Sequence, residues 1–336
     1  GGAALAGVGR WGKRDGCRPA AFDAGGSLGS NTVAPGWDRG FDFEDKCPEQ
    51  PQTKARWGRV ERRGADVVQH AETGMTRHPA GPRFVWVHLY DPHDPYEPPP
   101  PYSQIYKDRL YDGEIAYADS VLAGFVGYLK KTGRYDNALI VVVGDHGEGL
   151  GEHREDTHGI FLYDSTTHVP LLVKLPGHDR PGKVVDAQGR TTDILPTITG
   201  LTGVPPPEVL DGASRQPYIS GNESKDRTVI GETDDPLRFG WAPRRSVRAE
   251  GLKFIEAPRP ELYDLHPDPG ELSNRYQPSD PAAQKSRGIL AELKSDTSAP
   301  GSNLPDPKDT IAQQTLLQHA PRASDAHRPQ KPPEIH

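Results

Sequence analysis

Apolar and polar positions follow three regimes along the chain. Residues 83–90, RFVWVHLY, form a continuous apolar run of strand length, rich in β-branched and aromatic side chains, as a buried parallel strand requires. Further on, Ile115, Ala118, Leu122, Phe125, Val126 and Leu129 recur at the helical period; Asp112 is placed to cap the start, and Lys130, Lys131 and Gly133 mark the end. A second buried run, NALIVVVGD, follows at 137–145. Strand, helix, strand with both strands apolar throughout predicts a βαβ unit with a right-handed crossover. VPLLVKLPG (169–177) supplies a third strand and TTDILPTITGLTG (191–203) another helix. Before them, RPAAF (18–22) reads as a short strand and GWDRGFDFED (36–45) as a loop. ERRGADVVQHAETGMTRH (61–78) reads as a helix with Ala65, Val67, Val68 and Ala71 inward. After them, 244–258 and 260–271 read as antiparallel strands joined by turns. The expected fold class is α/β: a mostly parallel sheet flanked by helices, with a small C-terminal antiparallel sheet.

Composition narrows this picture. Only 34% of the 336 residues are hydrophobic, and mean hydropathy is −0.72, low for a compact enzyme. Gly (37) and Pro (35) make up about a fifth of the chain, under the share that marks low complexity. The averages blend a globular middle with polar ends; beyond about Tyr276 a helix reads around SRGILAELK (286–294), and most of 296–336 reads as disordered. A net charge of −7 offers no broad basic field for nucleic acid; RWGRVERR (56–63) is short and reads as a solvated helix face. Cys17 and Cys47 permit one bridge or two free thiols. No apolar run is long enough to span a membrane, and GGAALAGVGRWGKRDG at the start has no signal-peptide layout, so no compartment is assigned.

Ligands of open parallel sheets bind at the carboxyl ends of strands. Two of the predicted strands end in polar clusters, HLYDPHD and GDHGEG. A helical crossover would make those strands run the same way and gather Asp91, His93, Asp145 and His146 on one edge. Asp145 offers a hard oxygen and His146 an imidazole, together suited to a divalent cation, while Gly144 and Gly147 let backbone approach it. The competing bland reading is an aspartate capping the next turn beside a solvated histidine. The loop at 152–170 adds His153, His158 and His168, with Glu155 and Asp156 between them.

Six stretches in order carry a family resemblance: FVWVHLYDPHDPYEPP, YDGEIAYADS, DNALIVVVGDHGEGLGEH, THGIFLYDSTTHVPLLVKLPG, TTDILPTITGLTG and ELYDLHPDPGELSN. Over about 19–274 the chain resembles sulfatases of the alkaline phosphatase superfamily. The resemblance implies sulfate-ester hydrolysis, with Asp145 and His146 as ligands of a calcium-like ion. It implies His93 as a sulfate contact and His158 as a donor to the leaving-group or sulfate oxygen. A cation and imidazolium donors would stabilise the charge that ester cleavage moves onto oxygen. His146 sits less well with calcium, which prefers oxygen ligands. The implied partner is a sulfated small molecule or glycan, with no nucleic acid and no membrane span, in a periplasmic or secreted setting.

The family nucleophile is a formylglycine made from Cys or Ser in Cys/Ser-x-Pro/Ala-x-Arg. CRPAA (17–21) has Ala21 where Arg is needed, and KCPEQ (46–50) fails as well. The expectation is therefore a division into 1–205, a partial sulfatase core lacking the first strand and the nucleophile segment; 206–278, a small α+β subdomain; and 279–336, a polar tail. Such a chain is expected to be inactive alone. The alternatives are a phosphohydrolase or phosphotransferase of the same superfamily, and a non-catalytic anion-binding remnant.

Overall fold

The structure, a computed structural model, describes residues 18–23, 43–45, 62–78 and 80–297. Cys17, Cys47 and residues 298–336 of the expected disordered tail lie outside them. In chain order the strands and helices are β1 (Arg18–Asp23), β2 (Phe43–Asp45), α1 (Gly64–Arg77), β3 (Arg83–His88), α2 (Tyr102–Ile105), α3 (Leu110–Lys131) and β4 (Ile140–Val143). Then come α4 (Asp164–Thr167), β5 (Leu171–Lys174), α5 (Ile194–Thr202), α6 (Gln216–Ser220), β6 (Val229–Thr233), β7 (Arg244–Ala249), β8 (Leu252–Glu256), β9 (Glu261–Asp264) and α7 (Pro281–Thr297).

Chain path and packing divide the molecule into two compact units, one of 1–145 and 169–227, the other of 146–168 and 228–336. In the first unit, β2-β1-β3 is a parallel sheet, β1 pairing with β3 from Arg18↔Arg83 to Asp23↔His88. Helix α1 lies on it because Val67 and Ala71 meet Phe22. Val68 turns to Tyr117 and Val121 of α3. Ala65, expected inside, is exposed. Helix α3 begins two residues before Asp112, which pairs with the Arg109 cap at 2.8 Å.

The expectation of a mostly parallel sheet is corrected. Parallel pairing among the described residues is confined to β2-β1-β3; β4 pairs with β5 antiparallel, and β6-β7-β8-β9 is antiparallel throughout. Apolar runs record burial propensity and not direction, and here even burial is partial. No residue of β3 is fully buried, and Leu172 of β5 is 59% exposed. The β4–β5 pair is a hairpin stem: Val143 faces Leu171, and the Gly144 N–H donates to Pro170. Residues 145–169 are the excursion from that stem. Strand β4 is therefore not the next strand of a βαβ crossover from β3, and sheet pairing does not require Asp91, His93, Asp145 and His146 to share an edge.

A buried acid organises the rest of the first unit. Asp193, fully buried, accepts from Arg190 Nε and Nη2 (3.1 and 2.8 Å), Arg227 Nη1 (3.0 Å) and the Ala213 N–H (3.0 Å). Burial alone would raise its pKa; the arginines and the amide outweigh that and hold it below the usual carboxylate value. In the second unit, the expected antiparallel strands form and carry α7 on one face, where Ala283 and Leu290 join Val247, Phe254 and Leu262. Lys253, almost wholly buried, reaches Asp164 Oδ1 at 2.7 Å and Glu271 Oε1 at 3.0 Å. Removing one member of a buried ion cluster leaves its partners unpaired. Asp193→Ala is expected to cost about 3 kcal/mol of stability, read as a lower urea midpoint; an unchanged midpoint would mean the arginines find water instead.

Candidate active site

The excursion is built on glycine. N–H groups of Gly147, Gly149 and Gly151 donate to the carbonyls of Thr166, Thr157 and Glu155 at 2.8, 2.7 and 2.9 Å. A Cβ on Gly147 would sit 2.2 Å from the Ser165 carbonyl oxygen, and one on Gly149 would sit 2.7 Å from that of Glu155. Gly147 and Gly149 thus admit the returning chain. Buried Glu155 latches the return, its Oε1 accepting from the Ile160 and Phe161 amides at 2.9 and 3.0 Å.

His146 and His158 come together on this frame, rings stacked at 3.9 Å and 29°. His146 Nδ1 lies 2.8 Å from the Gly147 carbonyl oxygen, which only accepts, so Nδ1 carries a proton and the neutral ring has its lone pair on Nε2. His158 Nδ1 lies 3.1 Å from Oε1 of Glu148, which is buried. That carboxylate fixes the ring in the same tautomer. Glu148 is the partner of this pair that sequence reasoning missed. Its signal was its place between Gly147 and Gly149, where a large acid has no packing reason to be.

The other histidines of the loop have structural work. His153 stacks on Tyr163 at 3.6 Å and its Nε2 lies 3.1 Å from the Gly270 carbonyl oxygen. His168 is largely exposed, 4.0 Å from Asp164.

His93 and Asp145 belong to the first unit. His93 stacks on Tyr90 at 4.3 Å, with Nδ1 2.7 Å from the Asp94 carbonyl oxygen. Its loop is pinned at both ends. Asp91 is not a free edge acid: it accepts from the Gly64 N–H at 2.8 Å, capping α1, and from Arg63 at 3.0 Å. At the other end, Glu114 accepts the Glu97 N–H at 2.9 Å and Arg63 donates to the Glu97 carbonyl at 2.7 Å. Glu114 Oε2 is buried without a hydrogen-bond partner. Burial pushes the Glu114 carboxyl up to about 7, against the Glu97 amide and with the help of Asp91. Among the described residues, no three His, Cys, Asp or Glu side chains gather in a metal-holding group.

Comparison with known proteins places the chain. The family model Sulfatase matches residues 13–204, and the model N-sulphoglucosamine sulphohydrolase, C-terminal, matches 151–297. The chain belongs to the sulfatase family, within the alkaline phosphatase superfamily. It is 35% identical over 181 residues to the Delta 4,5-hexuronate-2-O-sulfatase of Bacteroides thetaiotaomicron, covering 52% of this chain and 36% of that one. It is 32% identical over 182 residues to the multifunctional alkaline phosphatase superfamily protein PehA of Trinickia caryophylli, covering 49% and 35%. The chain thus spans about a third of the length of these relatives. Two solved structures share the fold. One is in complex with its substrate D-glucosamine-2-N,6-O-disulfate (TM-score 0.69, 16% identity, 88% of this chain and 83% of that one). The other is the phosphonate monoester hydrolase of Agrobacterium radiobacter (0.68, 21%, 86% and 79%). No helix among the described residues is long and apolar enough to cross a membrane.

Two outcomes are expected. Gly147→Ala collides with backbone and lowers the thermal midpoint, since no flexible side chain can yield; a wild-type midpoint would mean α4 moves freely. Glu114 has a folded pKa raised above its unfolded 4.5, so its contribution is fully present below that value and is lost as pH rises through about 7. Stability is expected to fall by up to roughly 3 kcal/mol across that window. Urea titrations at several pH values should show the slope flattened in Glu114→Gln; an equal slope in both proteins would assign it elsewhere.

Proposed function

We propose that this chain carries part of the active site of a sulfuric ester hydrolase acting on a sulfated glycan or small molecule. The observation that supports this best is the His146–His158 pair, with Glu148 setting the tautomer of His158. The pair lies within the residues matched by the Sulfatase model, and His158 also within those matched by the C-terminal model. His158 and His93 are the proposed sulfate contacts. Each ring holds its Nδ1–H on a protein acceptor, so the imidazolium form is the one that directs an Nε2 proton at a sulfate or leaving-group oxygen. Asp145 and His146 are the proposed ligands of a divalent cation, for which calcium is the family expectation. One carboxylate and one imidazole fall well short of the oxygen cage calcium takes, so no step is assigned to the ion. The formylglycine nucleophile of the family likewise has no residue assigned to it. CRPAA and KCPEQ do not complete the motif, whereas Ser324-Asp-Ala-His-Arg328 spells it, correcting the expectation that no such motif occurs. That stretch follows the residues matched to the Sulfatase model instead of preceding GFD at 40–42, where the family order puts the nucleophile upstream.

A phosphohydrolase reading has one feature in its favour: the imidazole of His146, as a ligand, would suit zinc or manganese better than calcium. Calorimetry with sodium sulfate and sodium phosphate separates the two. Sulfate is expected to bind, and His158→Ala to weaken it about tenfold, the loss of one charge-assisted hydrogen bond; preference for phosphate would favour the second reading. With a chromogenic aryl sulfate the 336-residue chain is expected to show no turnover above a His93→Ala control, and turnover above it would overturn the view that the nucleophile is missing.

A further inference from the structure

Within the second unit, the loop 234–243 between β6 and β7 carries an exposed apolar tip. Leu237, Phe239 and Trp241 are 54%, 56% and 53% exposed, and the two aromatic rings lie 5.3 Å apart at 37°. Isolated surface apolar residues are ordinary; three within five residues, two of them adjoining rings, form a patch that calls for an occupant.

The stems of the loop say where that patch stands. Thr233 and Arg244 face each other across the β6–β7 ladder and close it. On the entry side, Thr233 Oγ1 donates to the Gly159 carbonyl at 2.5 Å, and Asp235 Oδ2 would be 2.7 Å from a Cβ on Gly159. Gly159, at φ +101, tolerates this approach because it has no side chain. On the exit side, the Arg244 guanidinium lies over the Phe161 ring at 4.8 Å. Both stems therefore clamp the residues that directly follow His158. The 3-10 turn Asp235–Phe239 follows that clamp, and the Trp241 N–H donates back to the Pro236 carbonyl at 3.0 Å, which closes the tip.

We infer that Phe239 and Trp241 form a stacking platform for a pyranose ring of a sulfated oligosaccharide, next to the anion contact at His158. This rests on the proposed function, since it takes His158 as that contact. A pyranose presents an apolar face of C–H groups, which fits the electron-rich faces of aromatic rings; anionic groups on the same ring find Arg238 on the same turn. Arg238 pairs with Asp235 at 3.4 Å, but the pair is exposed, so exchanging one anion for another costs little. The rings stand on the loop whose stems hold Gly159 and Phe161, the residues after His158. The platform thus selects a chain of sugars over a simple sulfate ester.

The test is calorimetry on the full 336-residue chain with two probes, sodium sulfate and a chondroitin sulfate tetrasaccharide. Trp241→Ala and Phe239→Ala are each expected to weaken the tetrasaccharide about tenfold and leave sulfate unchanged, with Trp241→Phe restoring most of the affinity. Melting curves confirm that the variants fold. Unchanged tetrasaccharide affinity in both alanine variants, or no tetrasaccharide binding by the parent chain, overturns the platform. Absence of sulfate binding, or its indifference to His158→Ala, overturns the proposed function instead, and the Trp241→Ala comparison still judges the platform. Concentration-dependent self-association abolished by Trp241→Ala would mean that a second copy covers the rings, which also overturns it.

Discussion

The site depends on one constraint: at Gly147 and Gly149 the chain passes so close to its own return that no side chain fits. Backbone amides there meet carbonyls of Thr166 and Thr157 directly, and the loop is closed by contact instead of by side-chain packing. His146 and Glu148 occupy the positions flanking Gly147. Once the glycines are in contact, the imidazole at 146 lies against that of His158, and the carboxylate at 148 lies within reach of its Nδ1. A loosely held loop could place any one of these groups. Holding all three together requires backbone to touch backbone.

The modest apolar content is consistent with how the units are held. The hydrophobic clusters are small, such as Phe22 with Val67 and Ala71 in one unit and Phe254 with Leu262 and Leu290 in the other. Each unit also holds a buried ionic cluster, Asp193 with its arginines in one and Lys253 with Asp164 and Glu271 in the other. Such clusters add little net stability compared with apolar packing but punish misregistration severely, because a shifted chain leaves a charge unpaired. In the second unit the cluster joins the excursion to the sheet: Asp164 is the first residue of α4, and its N–H also donates to Glu271.

Elements were legible in the sequence where periodicity was strong. Helices α1, α3 and α5 and the strands β7, β8 and β9 lie where the pattern put them, because helical and strand periods survive in the order of residues. Pairing was not legible. Strand β5 reads identically whether it continues a parallel sheet or returns along β4, and the antiparallel ladder with the Gly144–Pro170 contact at its end shows the return. Within the site, His146 and His158 were visible as residue types in a histidine-rich loop. Glu148 was not, since its meaning lies in a ring ten residues away. Asp91 misled in the opposite way: an acid at a strand end looks chemical, and here it caps a helix begun 27 residues earlier.

The excursion also has a history within each molecule's synthesis. Its contacts are with residues far downstream: Gly159 with Thr233, Asp164 with Lys253 and Glu271, His153 with Gly270, at separations of 74, 89, 107 and 117 residues. On a ribosome adding roughly 5–20 residues per second, residues 146–168 therefore wait several seconds for their partners. The first unit has both strands of the β4–β5 stem in hand long before then. The loop that carries His146 and His158 is thus among the last parts to be shaped, and a chain whose C-terminal sheet fails to form would display the stem without that loop's long-range contacts.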